Sequence, residues 1–248
     1  PILRCDPHLG IDRITTIRSY FAQIKGATMD VCGISFPGWP CIAIGFNQDV
    51  AWTLTTYNPD VVDVYKAPEV AGGHFEFQDA TRPILEKALT LVVFDPATNT
   101  TFPFSTTIAW AANFDKPVLR RDVDLNGNPH IWYGHASFTS APCVWEYFLG
   151  LGRATSVPAM LQETDRNAIT YTNILMADRL GNKAYLWSGR VPRRGAPTPG
   201  RTWAEVQDGT RAAYQWSEMH PASDLPREIG SSLGPAPSPF DAVWVQCN

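Results

Sequence analysis

Residues 29–66 consist of short apolar segments separated by turn-forming residues, and this pattern constrains the fold more than any other feature of the chain. Apolar residues alternate or cluster within each segment, as they do in strands, and the segments break at Pro37-Gly38-Trp39-Pro40 and at Asn47-Gln48-Asp49. The pattern predicts three adjacent strands. The chain also contains 21 Pro and 18 Gly, which imply frequent reversals and few long helices. We therefore expect a fold built mainly on sheet.

Two other regions also predict strands. Residues 84–110 carry apolar segments on both sides of the turn at Asp95-Pro96. Residues 169–189 predict a hairpin, with one strand at 169–177 and the other at 184–187.

Two helices are predicted between these regions. Residues 141–152 place several apolar side chains on one helical face, and residues 156–166 begin with Ser156 as a cap and Pro158 in the first turn. Residues 192–239, rich in Pro, Gly and Ser, predict a long loop region. The order of strands, helices and strands predicts one α+β domain over residues 1–248, with helices layered against sheet.

The charge and cysteine patterns exclude several classes of protein. The formal net charge is −4, and Lys and Arg are scattered along the chain, so we expect no nucleic-acid partner. No apolar run has the length of a membrane helix, so we expect no membrane partner either. The five Cys contain no C-x-x-C pair, which argues against a zinc ribbon and leaves one bridge open, such as Cys32 to Cys41.

Three local motifs suggest chemistry that their surroundings do not support. Gly230-Ser231-Ser232-Leu233-Gly234 matches the serine-hydrolase motif G-x-S-x-G, but Pro residues on both sides favour a loop over the strand and helix that this motif requires. Asp122 to Gly127 resembles the start of a calcium-binding loop, but no Glu closes it, and an Asx-rich turn is the simpler interpretation. His8, taken alone, is more typical of a turn residue than of a general acid or base.

Four ordered motifs are spread along most of the chain. They are Asp6-Pro7-His8-Leu9, Gly33-Ile34-Ser35-Phe36-Pro37-Gly38-Trp39-Pro40, Ile44-Gly45-Phe46-Asn47-Gln48-Asp49-Val50-Ala51-Trp52-Thr53, and Thr172-Asn173-Ile174-Leu175-Met176-Ala177-Asp178 with Gly181-Asn182. Together they resemble the β subunit of the penicillin acylase family, which includes penicillin acylases, acyl-homoserine lactone acylases and aculeacin-type lipopeptide acylases. In addition, Phe240 to Asn248 resembles the segment that carries the family's catalytic Asn.

The resemblance implies an N-terminal nucleophile hydrolase with an α+β fold, a four-layer αββα sandwich of which this chain would form part. Members are made by self-cleavage of a precursor into an α and a β chain, so the resemblance implies the α chain as a partner. The β chain begins with a Ser whose hydroxyl attacks an amide while its own α-amine takes the proton. Because an α-amine has a pKa of about 8, one residue serves as nucleophile and base without a cofactor.

The implied activity is hydrolysis of the amide of a small-molecule N-acyl substrate: an acyl-homoserine lactone, a β-lactam or a lipopeptide side chain. The resemblance makes His8, Thr56 and Asn248 the catalytic residues. Asn248, through its side chain, and Thr56, through its backbone N–H, would stabilise the oxyanion. His8 stands where some acylases of the family carry a His near the nucleophile's amine. The acyl-binding residues would be the clustered aromatics Phe36, Trp39, Phe46, Trp52 and Tyr57.

Residues 60–63 resemble the segment that holds calcium in penicillin G acylases. The ligands there are two carboxylates and a backbone carbonyl, which correspond to Asp60, Asp63 and Val62. The resemblance leaves a structural calcium open, but the remaining ligands of that site lie outside this chain or do not match, so an acidic turn is the favoured interpretation.

One departure from the family pattern leaves two hypotheses open. The family's nucleophilic Ser lies shortly before the Asp-Pro-His motif, whereas this sequence starts at Pro1, which has no hydroxyl with which to attack an amide. The chain is therefore expected to be a segment of a longer periplasmic or extracellular acylase, inactive on its own. The alternative is a non-catalytic binding or structural domain that keeps the fold.

Overall fold

The computed structural model describes residues 3, 19–56, 59–112, 116–137, 144–169 and 171–231. These residues group into two compact units, and each unit is assembled from separate stretches of chain. The first unit draws on residues 1–59, 140–191 and 219–248, and the second on residues 60–139 and 192–218. The prediction of a single domain over residues 1–248 stays a prediction.

The described residues form fourteen strands and two α-helices. The strands are β1 Tyr20–Gly26, β2 Met29–Ser35, β3 Ile44–Phe46, β4 Val50–Thr55, β5 Val62–Val70, β6 His74–Phe77, β7 Ala80–Asp95, β8 Thr100–Ala111, β9 Lys116–Val123, β10 Pro129–Ala136, β11 Tyr171–Asp178, β12 Asn182–Gly189, β13 Gln207–Asp208 and β14 Arg227–Ser231. The helices are α1 Val144–Arg153 and α2 Val157–Thr164. Neither described helix has the length and apolar character needed to cross a membrane.

The first unit contains an antiparallel sheet of seven strands in the order β1-β2-β3-β4-β11-β12-β14. The three strands predicted within residues 29–66 are confirmed as β2, β3 and β4, and the predicted hairpin is confirmed as β11 and β12. Strand β14 was missed, because it lies in the stretch 192–239 that predicts a loop. It pairs with β12 at the edge of the sheet, and Gly230 and Ser231 of the G-x-S-x-G motif lie in it.

Glycine permits the close approach of β2 and β3. Gly33 lies opposite Gly45, and a Cβ at Gly33 would lie 2.1 Å from the carbonyl oxygen of Ile44. A Cβ at Gly45 would lie 2.3 Å from the carbonyl oxygen of Cys32. Both distances are shorter than any real contact, so a side chain at either position would force the two strands apart.

Both predicted helices are confirmed, and they cover one face of this sheet. Helix α1 contacts β2, and α2 contacts β11 and β12. Ser156 caps α2 by accepting a hydrogen bond from the Ala159 N–H, and Pro158 lies in the first turn, as predicted. The fully buried helix residues are Tyr147, Leu151, Val157 and Met160, which join Val31, Trp52, Ile174 and Met176 of the sheet in one core. We call this side of the sheet the helix face.

The bridge between Cys32 and Cys41, which the sequence left open, does not form. Cys32 and Cys41 are free thiols. Cys41 belongs to the core on the helix face, whereas Cys32 alternates with the buried Val31 and Gly33 of β2 and so points to the other face. Burial raises the pKa of Cys41 to about 11, so this thiol stays protonated at neutral pH.

The second unit contains a seven-stranded sheet in the order β10-β9-β8-β7-β6-β5-β13. Strand β10 pairs with both β9 and β5, so this sheet closes on itself around a core of its own. Polar groups occur inside this core. The buried Lys116 ammonium donates to the Gln215 side chain at 2.6 Å, and burial lowers the pKa of Lys116 to about 8.

The β9–β10 turn is the segment that resembles a calcium loop, and the Asx-turn interpretation is confirmed. Asp124 accepts hydrogen bonds from the backbone N–H groups of Asn126 and Asn128, at 2.8 and 2.9 Å. Gly127 takes a positive φ of 82° at the reversal. The Asp124 carboxylate therefore has backbone partners of its own.

Asp178 connects the β11–β12 hairpin to helix α2. Its carboxylate is buried and accepts hydrogen bonds from the backbone N–H groups of Val157, Leu180 and Asn182, each at 3.0 Å, and from the Asn182 side chain at 2.8 Å. Burial acts to raise the pKa of Asp178, but these hydrogen bonds outweigh it, and the pKa is lowered overall.

We predict that Asp178→Ala lowers the free energy of unfolding by about 2–4 kcal/mol, because it leaves several buried donors without an acceptor. Since the pKa is lower in the folded chain, the contribution of Asp178 is complete above the unfolded pKa of about 3.9 and disappears as the pH falls through the folded value. Urea unfolding followed by tryptophan fluorescence at several pH values measures both effects. The exposed Asp165→Ala is the control, and an equal loss in the two variants at pH 7 would contradict the prediction.

Candidate active site around Thr56

Thr56 directly follows β4, a central strand of the first sheet that lies between β3 and β11. Side chains alternate along β4, so Trp52 points to the helix face and Thr53 and Thr55 point to the opposite face. Thr55 lies opposite Asn173 of β11 in this ladder. The end of β4, where the resemblance implies a catalytic backbone N–H at Thr56, therefore lies beside a polar side chain from a distant part of the sequence.

A chain of hydrogen bonds runs across three strands to Thr56. The Asn173 side-chain amide donates to the Thr55 hydroxyl at 3.3 Å and to the Thr56 carbonyl at 3.4 Å. The Asn173 side-chain oxygen accepts from the Tyr185 hydroxyl at 2.9 Å, and that hydroxyl accepts from the Trp187 indole N–H at 2.9 Å. We call Asn173, Tyr185 and Trp187 the Asn173 network.

The Asn173 network orients the backbone on both sides of residue 56. Asn173 is buried, with 7% of its surface exposed, so its amide cannot exchange these partners for water without cost. Its amide N–H group donates to the Thr55 hydroxyl and to the carbonyl of Thr56 itself. The sequence comparison with the family did not point to Tyr185 and Trp187. Their period-two spacing on a strand was the only available signal, since it places both on the face that carries Asn173.

The structure separates the aromatic residues that the sequence assigns to an acyl pocket. Phe36 and Trp39 contact each other edge to face at 5.2 Å, and Trp39 contacts Trp145 and Phe148 of α1. Trp52 is buried in the core of the helix face, where its indole donates to the Ala43 carbonyl at 2.8 Å. These three side chains therefore take part in packing between the helices and the sheet.

Phe46 lies on the opposite face of the sheet from Trp52. It pairs with Ala51, the neighbour of Trp52, and half of its surface is exposed, at 50%. The structure thus does not bring Phe46 and Trp52 together, but it places Phe46 on the face that carries Thr55 and Asn173. The remaining predicted site residues, His8, Tyr57 and Asn248, lie outside the described residues.

An arginine side chain from a distant part of the sequence contacts the segment that resembles a calcium site. Arg194 donates through Nε to the Asp63 carboxylate at 2.9 Å and through Nη1 to the Asp60 carbonyl at 2.8 Å. Its Nη2 lies 3.1 Å from an Asp60 carboxylate oxygen and 2.8 Å from the same Asp63 oxygen. The Asp63 side chain is fully buried and also accepts a hydrogen bond from the Trp216 indole. Burial raises the pKa of Asp63, and the hydrogen bonds from Trp216 and Arg194 oppose that shift.

These contacts do not fit a calcium ion. Calcium takes about six to eight oxygen ligands, whereas Arg194 already occupies one Asp63 oxygen and the Asp60 carbonyl. A guanidinium at this distance also repels a second cation. No cluster of three or more His, Cys, Asp and Glu side chains that could hold a metal occurs in the described part of the chain. Val62, the third predicted ligand, lies between Asp60 and Asp63 in the sequence, and 48% of its surface is exposed.

Comparisons of this chain with a family model and with curated proteins agree on one family. A sequence model described as penicillin amidase matches residues 1–236. The acyl-homoserine lactone acylase PvdQ of Pseudomonas fluorescens is 26% identical over 238 residues, which cover 84% of this chain and 28% of that protein. PvdQ of Pseudomonas putida is 26% identical over 204 residues, which cover 76% of this chain and 25% of that protein. The chain therefore spans about a quarter of the length of these curated relatives.

A solved structure gives the same result for the fold. Thermostable penicillin G acylase from Alcaligenes faecalis superposes with a TM-score of 0.74 at 19% sequence identity. The superposition covers 91% of this chain and 38% of that one. At this level of identity, the likeness concerns the fold alone.

We predict that Arg194, and not calcium, balances the charge of Asp60 and Asp63. Arg194→Met should lower the free energy of unfolding by about 3 kcal/mol, because it leaves the Asp63 carboxylate buried without a cation. Arg193→Met, next in the chain but more than half exposed, should cost less than about 1 kcal/mol. Thermal unfolding of the unchanged protein should be insensitive to EDTA and to excess calcium. A clear rise in its unfolding temperature with calcium would contradict this assignment.

Proposed function

The chain belongs to the penicillin amidase family, and from this membership we propose that it is part of an enzyme that hydrolyses the amide bond of an N-acyl substrate. The two acylase relatives support this class of reaction. The observation within the chain that carries the proposal is the position of Thr56, which follows a central strand and has the Asn173 amide against its carbonyl.

The proposed reaction begins at a Ser that precedes the Asp6-Pro7-His8 motif in the full polypeptide and is exposed by self-cleavage. Its hydroxyl oxygen attacks the substrate's carbonyl carbon, and its own α-amine takes the hydroxyl proton. The tetrahedral oxyanion accepts hydrogen bonds from the Thr56 backbone N–H and the Asn248 side chain. The C–N bond then breaks, and the amine leaves with the proton. Water attacks the resulting acyl-enzyme and releases the carboxylic acid. His8 is proposed to lie near the α-amine.

The Asn173 network supports this role for Thr56 on physical grounds. A donor stabilises an oxyanion most when it is already oriented before charge develops, because no reorganisation is then needed in the transition state. A peptide that directly follows a strand end retains rotational freedom unless something restrains it. Here the Asn173 amide contacts both Thr55 and Thr56, and Tyr185 restrains Asn173 in turn.

Among the three substrate classes, we propose an acyl-homoserine lactone first. The support is the name of the two sequence relatives, which match at higher identity than the penicillin G acylase structure does. Among the predicted acyl-pocket residues that the structure describes, Phe46 is the best placed to contact an acyl chain, because it is half exposed on the face that carries Thr55 and Asn173. If the enzyme hydrolyses these lactones, it degrades quorum signals. If it removes the acyl side chain of a β-lactam or a lipopeptide, it is an antibiotic acylase.

The proposed setting follows from the family. Because members of the family are exported, we propose a periplasmic or extracellular enzyme with an α chain cut from the same precursor. The four-layer αββα sandwich is likewise proposed for the complete protein.

We predict that Asn248→Ala in the full-length enzyme lowers kcat by about 10²–10³, the usual cost of losing one oxyanion donor. The assay measures free amine released from a long-chain acyl-homoserine lactone, penicillin G and an acylated lipopeptide. The control is Asn126→Ala in the exposed β9–β10 turn, which should keep the unchanged rate. Near-normal turnover by Asn248→Ala would overturn the oxyanion assignment. A folded, processed protein that hydrolyses none of the three would support the non-catalytic alternative.

We predict a second effect from the Asn173 network. Asn173→Asp replaces the donor that contacts Thr56 with an acceptor, so kcat should fall about tenfold while KM changes little, as for an interaction that matters in the transition state. Tyr185→Phe should cause a smaller fall in the same direction. Tyr214→Phe, in the second unit, is the control. A change in unfolding temperature with no change in kcat would indicate a purely structural role for the network.

A further inference from the structure

Strands β7 and β8 form a long ribbon that extends beyond the rest of its sheet. They pair over twelve positions, from Ile84 opposite Ala111 to Asp95 opposite Thr100. Strand β6 pairs with β7 only over residues 80–83, and β9 pairs with β8 only at Trp110 and Ala111. In the described part of the chain, no third strand pairs with residues 85–109, although the Arg121 side chain of β9 reaches the Glu86 carboxylate at 2.6 Å. Such a two-stranded ribbon is only marginally stable in water without something packed against it.

One face of this ribbon is apolar along nearly its whole length. Strand alternation and the pairing of Leu91 with Phe104 place eight apolar side chains on the same side, interrupted only by Lys87 and Thr106. We call this the apolar ribbon face; its residues are Leu85, Leu89, Leu91, Val93, Phe102, Phe104, Ile108 and Trp110. Five of them are well exposed: Leu85 at 56%, Leu91 at 44%, Phe102 at 46%, Phe104 at 50% and Ile108 at 39%.

The opposite face of the ribbon differs in character. It carries Glu86, Thr107 and the pair of Thr90 with Ser105, whose hydroxyls lie 3.3 Å apart. Its apolar residues are Val92, Phe94 and Pro103 near the tip and the small Ala88 and Ala109. Single exposed apolar residues are normal on any protein, but a contiguous strip of large apolar side chains, as on the first face, marks a surface that another structure covers.

The apolar ribbon face continues onto the neighbouring strand. Trp110 lies opposite Pro117 of β9, and Leu119, two residues further along β9, lines the same groove as Trp110 and Pro117. Leu119 is 57% exposed. A groove of about 350 Å³ runs between β8 and β9 here and is lined by Ile108, Trp110 and Leu119 together with Arg120 and Arg121. Apolar side chains of a covering segment would fit this groove.

We propose that the apolar ribbon face is covered by another segment of the same polypeptide, one that lies outside residues 1–248. The chain spans 28% and 25% of the length of its two curated relatives, so most of a polypeptide of that size lies elsewhere in the sequence. A segment joined covalently to the ribbon reaches it at a high effective concentration, which favours it over a second copy. The inference rests on the proposed function in one respect, which is that the chain is part of a longer acylase.

Site-specific photo-crosslinking in the full-length protein tests this proposal. A p-benzoylphenylalanine residue replaces Phe104 on the apolar ribbon face in one variant and Ser105, the next residue on the opposite face, in the matched control. Protein mixed from ¹⁴N- and ¹⁵N-labelled cultures is irradiated, and the cross-linked peptides are identified by mass spectrometry. We expect position 104 to cross-link within one molecule to a peptide outside residues 1–248, with about tenfold less at position 105. Cross-links between labelled and unlabelled copies, cross-links to another molecule, or equal yields would overturn the proposal.

Hydrogen exchange gives a second readout that is independent of catalysis. Phe104→Glu puts a charge on the apolar ribbon face, and Ser105→Glu puts the same charge on the other face of the same strand. In the full-length protein, Phe104→Glu should speed amide exchange in residues 85–109 about tenfold, whereas Ser105→Glu should leave it unchanged. Equal exchange in both variants would overturn the covering segment, and it would leave the amide-hydrolysis proposal standing, because no substrate is involved.

Discussion

The pairing of β4 with β11 is the interaction on which the first unit depends. It joins strands more than a hundred residues apart and sets Thr55 opposite Asn173. On one face it aligns Trp52 with Met176 in the core beneath the helices, and on the other it places the Asn173 amide against Thr56. A shift of the register by one residue would send every side chain of β4 to the wrong face, so core packing and site geometry are specified together.

The parts of the fold that the sequence predicted are those set by local pattern. Strands β2, β3 and β4 alternate between strong turn signals, and α2 begins with a cap and a Pro that act within one helical turn. Strand β14 has no such signal, because Arg227 to Ser231 contains a single apolar residue and pairs only at a sheet edge. The closure of β10 onto β5 is a long-range pairing that no local pattern encodes.

The candidate site also combines features that the sequence predicted with features that it did not. A resemblance over several motifs directed attention to Thr56, but clustering of aromatic residues along the chain did not predict a shared surface. Phe46 and Trp52 are close in sequence, yet the strand pairing puts them on opposite faces. Asp63 and Arg194 form an ion pair although they are 131 positions apart in the sequence. The sequence therefore pointed to the two carboxylates but not to the arginine that pairs with them. Side chains that meet through tertiary structure carry no signal in local spacing.

The interleaving of the two units has a consequence for how the chain acquires its structure. The stretch from 60 to 139 belongs to the second unit, and it separates the early strands β1 to β4 of the first unit from β11, β12 and β14. Strands β1 to β4 leave the ribosome long before β11, the late partner of β4, is synthesised. Bringing β4 and β11 together closes a long loop, and the entropy cost of closing a loop grows with its length. Prior folding of the intervening stretch would shorten that loop. High contact order of this kind slows folding and leaves the edge of β4 that pairs with β11 open in the meantime, and an unpaired strand edge can pair with another chain.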